Sequence, residues 1–118
     1  MRNPLILAGT ALMLMSAPVL AQAPTQIEAN QRSVKAITDR DVYSSDNVEI
    51  GEIEDVVLDA QGRAVLAIIE VEGRLGLREK YVAVPYDQVR VPAARNERVT
   101  VPMTEAQIKA LPGFRYND

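Results

Sequence analysis

Between Asn47 and Val91 the chain reads NVEIGEIEDVVLDAQGRAVLAIIEVEGRLGLREKYVAVPYDQVRV, three apolar runs separated by turn residues. Most of the apolar positions are branched at Cβ: Val48, Ile50, Ile53, Val56 and Val57, then Val65, Ile68, Ile69 and Val71, then Val82 and Val84. Such side chains lose freedom in a helix and pack well on a pleated surface. No run is long enough for a helix that buries one face, so the pattern predicts an antiparallel β unit.

The first long strand is expected over Val48–Leu58. Val48 and Ile50 share one parity, Ile53 has the other, and Val56 and Leu58 return to the first. Alternation therefore fails between Gly51 and Asp55. A β-bulge there would restore one inward face, and Gly51 suits a kink or a close backbone approach. The runner-up is a strand partly covered on both faces. Asp59-Ala60-Gln61-Gly62 reads as a turn in which Gly62 takes positive φ. Ala64–Val71 pairs back, and its VLAII run is apolar on both faces. Something must cover the second face: the terminal helix, another part of the chain, or a partner.

Gly73–Glu79 is a longer loop with Leu75 and Leu77 exposed or lying over one end of the sheet. Tyr81–Pro85 is the next strand, with Val82 and Val84 inward, and Pro85 marks a ladder end or a margin. Shorter strands are expected at Val34–Thr38, around Val42, at Val89–Val91 and at Arg98–Val101. Ser44-Ser45-Asp46-Asn47 reads as a hairpin connection. Thr104 followed by Gln107 spells a capping box for a short helix that Pro112-Gly113 ends, and Phe114 and Tyr116 are placed to fold back over an opening. A helix this short must dock to persist.

At 118 residues the chain holds at most one small domain. Closing the sheet on itself is an economical solution, because closure leaves no unpaired edge. Met1–Ala21 sets a basic start before the apolar stretch Leu5–Met15 and small residues after it, the layout of a secretory signal peptide. Cleavage is expected after Ala21, with an uncleaved membrane anchor as the alternative. The chain then divides into a signal peptide (1–21), a flexible leader (22–33), the β domain (34–102) and a C-terminal helix and tail (103–118). The expected location is outside the cytoplasm, periplasmic in a Gram-negative cell.

Charge changes the picture little. The formal net charge of −3 becomes −4 without residues 1–21, whose one charged side chain is Arg2. Basic residues are scattered, which argues against nucleic acid as a partner. Neither Cys nor His occurs. Disulfides, thiolate nucleophiles, Cys metal sites and the usual imidazole base are thereby excluded.

Ile50-Gly51, Asp55-Val56-Val57-Leu58-Asp59, Gly62, and Gly76 followed by Lys80-Tyr81-Val82-Ala83-Val84-Pro85-Tyr86 together resemble the PRC-barrel domain family. That family takes its name from the H subunit of the photosynthetic reaction centre. The resemblance spans Asp39–Pro102, with the terminal helix similar to an accessory of small exported relatives. Arg74 and Arg78 stand where the family often has glycine. The resemblance implies a mainly β fold, a small, strongly curved antiparallel β-barrel of about six strands. It also implies an interaction or assembly module, without shared catalytic residues.

Candidate chemistry is sparse. Asp39, Asp41, Asp46 and Asn47 lack the rhythm of a calcium loop and read as solvated turn residues. Glu52, Glu54, Asp55 and Asp59 lie along one strand with no cleft for acid–base work. Asp55 instead suits accepting hydrogen bonds at a strand turn. Gly51, Asp55, Asp59, Gly62, Gly76 and Pro85 are expected to be structural. No catalytic residue, cofactor or metal ligand is assigned. Arg74, Leu75, Leu77, Arg78 and Lys80 form a mixed basic and apolar loop, the candidate contact patch. The expected partner is another protein or a second copy, with peripheral membrane contact as a weaker alternative. A small ligand or metal ion is the second functional reading, for which the interior would have to hold a polar hollow.

Overall fold

The two longest β-branched runs form the two longest strands, and the domain is built outward from them. The computed structural model describes residues 23–117. The predicted signal peptide and its cleavage point lie outside the described residues. In chain order the elements are α1 (Val34–Ile37), β1 (Asp41–Tyr43), β2 (Glu49–Leu58), β3 (Ala64–Glu72), β4 (Arg78–Pro85), β5 (Val99–Thr100) and α2 (Glu105–Lys109), with single 3-10 turns at Arg74–Gly76 and Tyr86–Gln88.

The five strands make one sheet in the order β4-β3-β2-β1-β5. The pairs β1–β2, β2–β3 and β3–β4 are antiparallel, whereas β5 runs parallel to β1. The sheet is thus mixed and open. It is not the closed antiparallel barrel of about six strands that the sequence and the family resemblance predict. One side is tightly packed. Ile50, Ile53 and Val56 of β2, Ala67, Ile69 and Val71 of β3, and Val82 and Val84 of β4 meet Val42, Val99 and Val101 there. Ile37 of α1 and Ile108 of α2 close this core, and each buried branched side chain contributes about 1.5–3 kcal/mol.

The irregular alternation in β2 has two causes. Val42 pairs with Gly51 but Tyr43 with Glu49, which places one bulge at Ile50–Gly51. Ile53 pairs with Ile69 but Asp55 with Ile68, which places a second at Glu54. The two extra residues let Ile50, Ile53 and Val56 all face the core despite their mixed parity. At Gly51 the backbone has φ 153°, and a Cβ would sit 2.0 Å from the Glu70 carbonyl oxygen. Only glycine permits β2 and β3 to approach so closely there.

Three predicted strands differ. Val34–Thr38 begins as the helical turn α1, in which Val34 is exposed and Ile37 buried. Val34 and Ile37, three apart, would point to opposite faces of a strand but lie on one side of a helical turn, and docking of Ile37 decides. Val89–Val91 is reduced to a bridge between Arg90 and Thr100. Arg98–Val101 shortens to β5, although Val99 and Val101 are both buried as expected.

The chain's own C-terminus crosses the second face of β3. Ile68 is fully buried, yet it lies outside the main core cluster. Phe114 N donates to Tyr81 O at 2.7 Å, on the outer edge of β4. The Tyr116 ring meets Tyr81 edge-on at 5.2 Å, and its hydroxyl donates to Asp55 Oδ2 at 2.8 Å. Tyr116 therefore bridges β4 to β2 across β3. One tail amide thus pairs with β4, the end strand of the open sheet. The Thr104–Gln107 capping box forms as predicted.

Candidate functional site

Among the described residues the packed face is filled by branched apolar side chains. Three depressions on the surface are open to solvent, and Asp55 lines none of them. Among the described residues no group of three or more acidic side chains is arranged to hold a metal ion.

Among the described residues the most exposed large apolar side chains belong to the β3–β4 connection. Leu75 is 97% exposed and Leu77 68%. This loop is a closed turn: Gly73 N donates to Leu77 O at 2.6 Å, and Leu77 N donates to Arg74 O at 3.2 Å. Leu75 has φ 61° and Gly76 φ 72°, both left-handed. Glycine adopts that region freely, whereas leucine does so at a cost of about 1–2 kcal/mol. The turn thus holds a large apolar side chain outward against its own backbone preference. Arg74 and Arg78 flank the tip and are exposed. The Arg78 guanidinium lies 4.5 Å from the Tyr81 ring centre, which anchors its stem beside the loop.

Of the five residues in the predicted patch, Arg74, Leu75 and Leu77 lie in this turn, and Arg78 opens β4 directly after it with its guanidinium over Tyr81. Lys80 is directed elsewhere. Its ammonium donates to the carbonyls of Lys109 and Leu111, both at 2.6 Å, and so caps the C-terminal end of α2. The partners are 29 and 31 residues away in sequence, so no local signal marks this role.

The residues read as structural have separate duties. Asp55 accepts from Val56 N at 2.7 Å as well as from Tyr116. Asp59 Oδ1 accepts from Gln61 N and Arg63 N, both at 2.9 Å, in the turn where Gly62 has φ 83°. Pro85 ends β4. Asp46 accepts from the Ser44 hydroxyl and from Glu105 N, which ties the first hairpin to the start of α2. The Ser44 hydroxyl, followed by the Glu105 amide, holds the Asp46 carboxyl below its usual range. Arg40, which sequence reasoning passed over, donates to the carbonyls of Pro92, Ala94 and Glu97 and so shapes that loop.

The electrostatic oddity is a row of acids. Asp41, Glu52 and Glu70 lie directly opposite one another across β1, β2 and β3. Burial, then the charges of Asp39, Asp41, Glu72 and Glu54, push the Glu52 carboxyl up. The folded state therefore binds this proton more readily than the unfolded chain. Glu52's contribution to stability is lost as pH rises through its raised value and regained as pH falls towards the ordinary glutamate range. Glu52→Gln is expected to raise Tm at pH 7 by roughly 3–5 °C, since it removes a partly buried charge that faces Asp41 directly across the strands. Thermal melts between pH 5 and pH 8 check this. The gain should shrink towards pH 5, and an unchanged or lower Tm at pH 7 would contradict the account.

The fold and its surface define a small open-sheet β domain with a packed interior. A family model of the PRC-barrel domain matches residues 30–108, and the chain belongs to that family. A comparison with curated proteins finds no match.

Proposed function

We propose that the chain is a noncatalytic, exported protein-interaction or assembly module, working by contact rather than by chemistry. The family supports this, because PRC-barrel domains are generally noncatalytic. The observation that carries it is the ordered turn that holds Leu75 and Leu77 in solvent between two arginines. A domain that only had to be soluble would place polar residues at a hairpin tip. The small-ligand reading would need a polar hollow in the interior, and the fully buried Ile53, Ile69 and Val82 are apolar.

Leu75→Ser with Leu77→Ser tests the reading. Both side chains are exposed, so Tm should stay within about 2 °C of wild type. Capture of components from a cell-envelope extract by the tagged chain should be lost. Capture that survives the double substitution, or a fall in Tm of more than about 5 °C, would remove the loop from the contact surface.

A further inference from the structure

We propose that the Arg74–Arg78 turn docks on an anionic lipid bilayer, with Leu75 and Leu77 entering the hydrocarbon boundary and the two arginines meeting headgroup phosphates. This rests on the reading of the turn as the contact surface and names what it contacts. The size of the tip decides between a bilayer and a protein. A bilayer needs only the tip, whereas a specific protein interface of ~20–30 residues per side would have to recruit the surface around the two leucines. Their sequence neighbours Glu72, Arg74, Arg78 and Glu79 are charged and do not extend the apolar area. A bilayer demands no matching shape and accepts a convex tip.

The arrangement of charge and hydrocarbon fits that surface. Apolar side chains stand at the apex with an arginine on either side in sequence; Arg74 is exposed, and the exposed Arg78 would exchange the Tyr81 ring for the headgroup level. The turn is already fixed by its two backbone hydrogen bonds, so little ordering is needed on insertion. Two leucine side chains bury less hydrocarbon than one myristoyl chain, which itself binds reversibly at about 10⁴ M⁻¹. Each arginine near an anionic surface adds roughly fivefold. Docking should therefore be reversible, with half-saturation at about millimolar accessible lipid, and should weaken as salt rises.

The chain has no cysteine, so one reporter can be placed at will. Leu75→Cys and, as control, Gln61→Cys at the opposite end of β3 would each carry an environment-sensitive fluorophore on the full chain. With vesicles of equal phosphatidylglycerol and phosphatidylcholine, the probe at 75 should shift to the blue and brighten, and the probe at 61 should not. Pure phosphatidylcholine should give a response at least several-fold weaker. Arg74→Glu with Arg78→Glu should weaken the phosphatidylglycerol response by about tenfold or more. No response at 75, an equal response at 61, or indifference to the charge reversal overturns the proposal. Loop-dependent capture of a protein, with no vesicle response at 75, also overturns it but leaves the interaction reading standing. Loss of both removes that reading as well.

Discussion

Gly51→Ala is expected to cost about 3–5 kcal/mol, combining a positive-φ penalty with a clash that side-chain movement cannot relieve. The added methyl carbon would sit 2.0 Å from the Glu70 carbonyl oxygen and 3.1 Å from Val71 Cα, so both obstacles are backbone. Relief requires β2 and β3 to part where Gly51 pairs with both Val42 and Val71, next to the core residues Ile50 and Ile53. For a domain of this size the loss corresponds to a fall in Tm of at least ~15 °C. Gly62→Ala is the matched control. Gly62 also has positive φ, but a Cβ there meets nothing within 4 Å. It should cost only about 1 kcal/mol, the conformational penalty alone. Chemical denaturation of the two variants separates the effects, and comparable losses would mean that the close approach at Gly51 is not what requires glycine.

The same region shows what a sequence can and cannot disclose. The break in alternation after Ile50 exposed a bulge, because a strand with one buried face must keep its parity. The return to the first parity at Val56 already requires a second bulge, because one inserted residue shifts parity only once; which strand flanks each bulge is not written locally. Gly62, the capping box at Thr104 and the inward pair Val82 and Val84 were legible because their causes are local. The parallel pairing of β5 with β1 was not. Val99 and Thr100 carry an alternation that fits either direction, and the choice of Val42 as partner is made by packing 57 residues away in sequence. The open edge was hidden for a related reason. Closure and a covering tail satisfy β4 equally well, and only Phe114 and Tyr116 hinted at the second. At the candidate site, Leu75 and Leu77 stood out as apolar residues in a loop, and the structure adds the backbone strain and closed turn that hold them outward. Lys80 shared their composition but not their role, because a lysine's sequence neighbours do not say which distant carbonyls its long side chain reaches.

Ile68→Ala is expected to cost about 2–4 kcal/mol, as much as truncating a residue of the main core. Ile68 is fully buried although it faces away from that core, so its burial depends on what crosses the second face of the sheet. Tyr116 touches Tyr81 on one side and Asp55, the residue directly opposite Ile68, on the other. If the tail supplies the cover, Tyr116→Phe should cost about 1 kcal/mol by leaving Asp55 short of one donor. In a Tyr116→Ala background, where the cover is already damaged, the further loss from Ile68→Ala should fall by 1 kcal/mol or more. Additive losses in this double-mutant cycle would show that the tail and Ile68 are energetically independent. Val65→Ala in the same strand provides the scale: at 39% exposure it should cost under about 1 kcal/mol. A coupled result would make the tail part of the sheet's packing, so that an open five-stranded sheet is stable because the tail after its last helix does the work of a closing strand.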